Sequence, residues 1–220
     1  MDETSSEITN PRVEDYIRGL LARHDEPVVL EMEAEARKRG FPAVGRMVGV
    51  VLEILARSIG ARRVFELGSG FGYSGYWFAR AVGADGELHL TDGDPDNERT
   101  ALEYLGRAGL DEAVRFHTGD ALESFAGVEG DFDIVFCDIN KDQYPAAWAA
   151  ARDRIRPGGL YICDNTIRWG EATILQERDG EVGERIAAVR AHNDAIASDP
   201  EFLMTILPIR EGVLVARRRS

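Results

Sequence analysis

Cysteine, lysine and long apolar runs are all scarce in this chain. Only Cys137 and Cys163 carry thiols, too few for the disulfide framework of a small secreted domain. Each lies in an apolar run directly before an aspartate, and alternation along a strand turns each thiol to the face opposite its acid. The pair therefore reads as buried thiols, with no disulfide and no thiolate metal site. No apolar run reaches the length needed to span a bilayer, and residues 1–7 are acidic and polar, unlike a secretion signal. These absences point to a soluble, cytoplasmic protein. Histidine is sparse too, and His24, His89, His117 and His192 lack metal-ligand spacing, so all four read as structural.

Lysine occurs only at Lys38 and Lys141; the other 24 of the 26 basic residues are arginine. Against 39 acidic residues they leave a net charge of -13, which disfavours any partner held mainly through phosphates, such as bulk nucleic acid. Acid excess with little lysine fits a cytoplasm of high salt, where screening relaxes self-repulsion. GC-rich coding accounts for the arginine bias equally well.

What is present is enough for one large α/β domain: 220 residues, 44% apolar and 30% charged. Residues 1–10 read as a flexible arm and 11–220 as a single domain. After Pro11, apolar residues at helical spacing, Tyr16, Ile17, Leu20 and Leu21, predict a first helix, followed by helices from Val28 to Arg39 and about Val44 to Ile59, a helical cap before the first strand. From Arg62 the pattern alternates. Strands are predicted at 62–67, 87–91, 113–118, 132–137 and 159–163, with helices at about 74–83, 96–108 and 143–154 and a short helical turn near Ala121. Such alternation argues for a parallel sheet with helices on both faces. A helix from Val182 to Ala197 then leads to Phe202–Leu207, a turn at Glu211-Gly212 and Val213–Ala216, which read as a terminal antiparallel pair.

The first strand ends in Glu66-Leu67-Gly68-Ser69-Gly70-Phe71-Gly72. Glycines at alternate positions, Gly68, Gly70 and Gly72, turn the backbone sharply and leave no side chain between it and a ligand. The dinucleotide fingerprint wants its third glycine one position later, where this chain has Tyr73. The spacing thus favours S-adenosylmethionine over NAD, the alternative being a glycine-rich turn without a ligand. Ser74 can join the amides of the helix start in holding a carboxylate. Asp92, ending the second strand about twenty residues on, suits ribose hydroxyls, whereas Asp94 before Pro95 reads as a helix cap. Asp120, before Ala121, can either accept from an adenine amino group or cap a helix.

Two later strands end in Asp138 and in Asp164-Asn165. If these strands are neighbours, their ends lie about 4.8 Å apart, and two carboxylates with an amide oxygen converge. Unpaired, the acids would repel and hold each other's protons. A hard divalent cation removes that conflict, Mg²⁺ best, with Ca²⁺ or Mn²⁺ less specific options; the alternative is two helix-capping aspartates. Lys141, three residues beyond Asp138, is one of only two lysines. A lysine beside a bound cation can give up its proton and act as a base, which arginine cannot. A solvated loop lysine is the plainer reading.

With these residues in view, the chain resembles the cation-dependent class I O-methyltransferases, the group of catechol and caffeoyl-coenzyme A O-methyltransferases. The likeness runs from Pro11 to Arg218 and rests on Phe41-Pro42-Ala43-Val44-Gly45, Glu66 to Ser74, Asp138 with Lys141-Asp142, and Asp164-Asn165 followed by Trp169-Gly170. The resemblance implies a Rossmann-like, seven-stranded, mostly parallel sheet whose last strand is reversed. It implies S-adenosylmethionine at Val44, Gly68, Ser74, Asp92 and Ala121, with Glu66, Gly70, Gly72, Asp120 and Asp138 also bordering it. A cation would sit at Asp138, Asp164 and Asn165 and be chelated by two vicinal oxygens of a small aromatic acceptor, with Lys141 taking the proton and Trp169 walling the ring. Homodimers are common in the group. One departure stands out: catechol O-methyltransferase has an acidic residue before its final hairpin, and Phe202–Leu207 offers none, which favours a larger vicinal diol over free catechol. Some bacterial relatives methylate a hydroxylated uridine in tRNA, an alternative acceptor. A Rossmann-type NAD oxidoreductase is the competing enzyme reading, opposed by Tyr73 and by the oxygen trio.

Overall fold

The computed structural model describes residues 11–24, 26–167 and 179–220. The arm at 1–10 and Trp169 lie outside them. Seven strands, β1 (Arg63–Leu67), β2 (Glu87–Asp92), β3 (Val114–Thr118), β4 (Phe132–Cys137), β5 (Ile155–Cys163), β6 (Phe202–Leu207) and β7 (Val213–Arg218), form one sheet in the order β3-β2-β1-β4-β5-β7-β6. All neighbours pair in parallel except β7, which runs against both β5 and β6. The order reverses between β1 and β4, and ligands of such sheets bind in the crevice beyond the carboxyl ends at that switch.

Helices α1 (Pro11–Leu21), α2 (Pro27–Arg39), α3 (Gly45–Ser58), α4 (Tyr73–Val82), α5 (Pro95–Arg107), α6 (Ala121–Gly127), α7 (Tyr144–Ala151) and α8 (Gly180–Ala197), with three short 3₁₀ turns, complete the described elements. Two apolar layers hold them to the sheet. On one face α2, α3 and α4 bury Met32, Leu52 and Phe78 against Val64, Leu88 and Phe136. On the other, α6, α7 and α8 cover Phe65, Val135 and Tyr161, where Trp148 meets Tyr161 and Phe202 edge-on at 5.1 and 4.8 Å. Eight of the ten residues of α4 are buried, because it lies between the sheet and α3. No described helix is long and apolar enough to cross a membrane.

Element boundaries differ from expectation by more than two residues at two places. The predicted helix 143–154 is split into 3₁₀ turns at 141–143 and 152–154 flanking α7. Strand β5 begins at Ile155, four residues early: Ile155 pairs with Phe132, and the register then shifts before Ile134 meets Leu160, with Gly158 at φ 79 within the irregular stretch. His192, read above as structural, lies on α8, fully buried, with its Nε2 3.1 Å from Tyr161 Oη. His89 lies inside β2, with Nδ1 2.9 Å from Nε2 of His117.

Candidate active site

The carboxyl ends of β1 to β5 open into a cavity of about 760 Å³. Gly68 and Gly70 line its floor, whereas Gly72 lies outside the lining and faces Ala101 of α5; all three take positive φ, at 81, 52 and 84°. At Gly68 the demand is double, since a Cβ there would stand 2.7 Å from the Asp138 carbonyl oxygen, so any side chain would be strained and obstructed. The turn is pinned from β2: Gly68 N donates to Thr91 Oγ1 at 2.9 Å and Ser69 N to Thr91 O at 2.7 Å. The cap closes over it, with Phe41 edge-on to Phe71 at 5.1 Å and Val44, just before α3, in the cavity wall.

Glu66 is buried beneath the turn. Its Oε1 accepts from Ser74 Oγ, and among the described residues its Oε2 has no hydrogen-bond partner. Burial, with the Asp138 charge adding to it, pushes the carboxyl up to about 8. An orphaned acceptor and a serine at a helix start suit the amino and carboxylate groups of an amino-acid ligand. In the unfolded chain this carboxyl titrates near its ordinary 4.5. Between that pH and about 8 the native state holds a proton that the unfolded state has lost, so stability falls as pH rises through the window. Glu66→Gln is therefore expected to flatten the decline of the melting midpoint between pH 5 and 8. Asp164, shifted in the same sense, retains part of the slope. An unaltered slope would show that Glu66 ionises freely in the fold.

Asp92 lines the cavity at the end of β2, its Oδ1 accepting from Asp94 N at 2.8 Å and Asn97 Nδ2 at 3.0 Å. Asp94 caps α5, as its place before Pro95 predicts. Asp120 also caps: its Oδ1 accepts from Leu122 N and Glu123 N, both at 2.9 Å, while the residue still borders the cavity beside Ala121.

Across the switch point lies a cluster of oxygens. Cys137 and Cys163 are register partners on β4 and β5, which sets Asp138 and Asp164-Asn165 side by side. Lys141 Nζ reaches into it, 3.2 Å from Asp138 Oδ1, 2.7 Å from Asn165 Oδ1 and 2.6 Å from Tyr144 Oη. With only 11% of its side chain exposed, Lys141 is not a solvated loop residue. Asp138 caps no described helix: Asn140 and Gln143 stand at the helix starts after it, without side-chain caps. Asp164 is 2% exposed and among the described residues its Oδ1 has no hydrogen-bond partner. Burial, reinforced by Asp138, pushes its carboxyl up to about 7.

Among the described residues no three His, Cys, Asp or Glu side chains gather as a metal site; this donor set is two carboxylates and an amide. It nevertheless fits a hard cation. The orphaned Asp164 oxygen has no hydrogen-bond partner among the described residues, and the Lys141 ammonium already bonds to oxygens of Asp138 and Asn165.

Residue-by-residue reading missed Tyr144 and Glu211. Tyr144, fully buried, accepts from Lys141 and donates to the Asp164 carbonyl at 2.7 Å; its place three residues after Lys141 was the available signal. Glu211, in the β6–β7 turn, accepts from Asn165 Nδ2 at 2.9 Å, and nothing local announces that contact. The cysteines are fully buried and unbridged.

Comparison with known proteins gives a consistent result. The family model described as O-methyltransferase matches residues 24–219. A catechol O-methyltransferase of Niastella koreensis is 32% identical over 201 residues, 89% of each chain. A methyltransferase structure from Geobacter sulfurreducens is 31% identical, with a TM-score of 0.82 over 97% of this chain and 98% of its own. The O-methyltransferase TomG of Streptomyces achromogenes, involved in tomaymycin synthesis and solved with S-adenosylmethionine, is 26% identical with a TM-score of 0.85 over 100% of both chains.

Proposed function

We propose, since this chain belongs to the O-methyltransferase family and is an S-adenosylmethionine-dependent enzyme, that its acceptor is a vicinal diol of the catechol or caffeoyl type. In this reading the methyl goes to one of the two oxygens, with a divalent cation required and Lys141 as base. The observation that carries it is the convergence of Asp138, Asp164, Asn165 and a rare lysine directly across from the glycine turn, Asp138 N donating to Leu67 O at 2.9 Å.

Each group has a role in this reading. Glu66, Ser74 and the turn amides hold the amino-acid end of the donor, and Asp92 takes its ribose. Asp138, Asp164 and Asn165 would hold the cation. When bound, it would favour the ionised acceptor oxygen and fix two neighbouring oxygens together. An acceptor hydroxyl brought to this trio comes within reach of Lys141 Nζ, which, once its own proton has passed to solvent, would take the hydroxyl proton as the neutral amine. The oxygen then forms its bond to the methyl as the carbon–sulfur bond breaks, giving a methyl ether and S-adenosylhomocysteine. Holding both reactants over one switch point supplies the in-line approach.

A panel of vicinal diols and matched monophenols, assayed with methyl-labelled S-adenosylmethionine, tests the acceptor class. Label is expected in the diols and absent from the monophenols. Equal transfer to both would overturn the vicinal-oxygen requirement.

A further inference from the structure

We propose that Glu211 is a positioning residue that fixes the amide of Asn165 with its oxygen turned to Lys141 and the cation; this rests on the cation reading above. The two ends of an asparagine amide are nearly alike in shape, so their orientation is set by what they meet. Here the two partners agree. Asn165 Nδ2 donates to Glu211 Oε2 at 2.9 Å, and Asn165 Oδ1 accepts from Lys141 Nζ at 2.7 Å. A carboxylate has only lone pairs to offer and an ammonium only hydrogens. A flipped amide would set NH₂ against ammonium and oxygen against carboxylate, losing both bonds and presenting hydrogens where a cation ligand is required.

The backbone serves the same end. Asn165 sits at φ 55, in the left-handed region that side chains rarely adopt. The turn bearing Glu211 holds it there, with Thr166 N donating to Gly212 O at 3.0 Å and Ile167 N to Glu211 O at 2.9 Å. That turn is itself anchored to the cap, since Arg210, at φ 51, donates from Nη1 to Ala43 O at 2.8 Å and also to Val44 O. One turn thus fixes both the backbone and the amide of Asn165. It places an acidic residue at the site, which the sequence of β6 lacks.

The test is Mn²⁺ binding to the full chain, followed by the electron paramagnetic resonance signal of the unbound ion, for wild type, Glu211→Gln and Glu211→Asp. Glutamine keeps the size but offers either amide end, so it no longer discriminates. Its Mn²⁺ dissociation constant is expected to rise about 10- to 100-fold, the range for lost outer partners of metal ligands. S-adenosylmethionine affinity by calorimetry should stay within about twofold, and Glu211→Asp, retaining the carboxylate, should recover part of the Mn²⁺ affinity. Wild-type Mn²⁺ affinity in Glu211→Gln overturns the proposal. So does a parallel loss of Mn²⁺ and donor affinity in both variants, which would make Glu211 a strut of the fold. Absence of Mn²⁺ binding by wild type would instead sink the cation reading, and this inference with it.

Discussion

Chelation with EDTA is expected to abolish methyl transfer, and Mg²⁺ to restore it. The physical ground is Asp164, whose carboxyl is buried, pushed up to about 7 and lacking a hydrogen-bond partner on one oxygen among the described residues. Burying a carboxylate costs free energy unless something positive compensates, and its placement beside Asp138 makes that cost larger. Two substitutions separate chemistry from folding. Asp164→Ala should lower turnover by about 10²- to 10³-fold, the scale of losing one preorganised electrostatic group. Asp164→Asn keeps the shape and removes the buried charge, so it should fold as well as wild type while showing the same loss. Donor binding, measured by calorimetry, should persist in both. Full activity in EDTA, or in Asp164→Ala, would exclude the cation mechanism.

The second large effect is expected at Lys141. Lys141→Arg keeps the positive charge beside Asp138 and Asn165 but replaces a group that can exchange its proton with one that cannot. A fall in kcat of about 10²- to 10⁴-fold is expected, the range for a positioned general base, with S-adenosylmethionine affinity retained. The competing role for Lys141 is electrostatic: its ammonium would steady the oxygens of Asp138 and Asn165. In that case Arg would preserve most of the rate and Lys141→Met would lose it. An unchanged rate in Lys141→Arg removes Lys141 as the base.

The glycine-turn half of the candidate site was legible because it is local. Glu66, Gly68, Gly70, Gly72 and Ser74 all fall within nine consecutive positions, and a strand followed by a glycine turn and a helix can fold in few ways. The caps at Asp94 and Asp120 were equally local. Their bonds run two or three residues along the chain, so sequence spacing is their geometry. The terminal antiparallel pair followed from two apolar segments around a turn, and the cap over the glycine turn from three helices preceding β1. Misplaced boundaries have a common cause. Ile155 belongs to β5 because it pairs with Phe132 across an irregular register, a partnership absent from its own neighbourhood.

The oxygen cluster across from it was legible only on a condition. Asp138 and Asp164 are 26 positions apart, and their convergence requires β4 and β5 to be adjacent, parallel and in the register Cys137 to Cys163. The strand order supplies this, and the family match independently sets aside the oxidoreductase alternative. Glu211 lies 46 residues from Asn165 and reaches it because β7 enters the sheet beside β5 in reverse.

By itself, then, the sequence determined the alternation of strands and helices, the glycine turn with its serine and acid, and the scarcity that singles out Lys141. These depend on backbone sterics and contacts within one or two turns of chain. Only the tertiary structure decided that Lys141 is buried among oxygens rather than solvated, that Tyr144 receives its hydrogen bond and that Glu211 faces Asn165. Such contacts form where separate strands end together, and sheet order and register fix which ends meet.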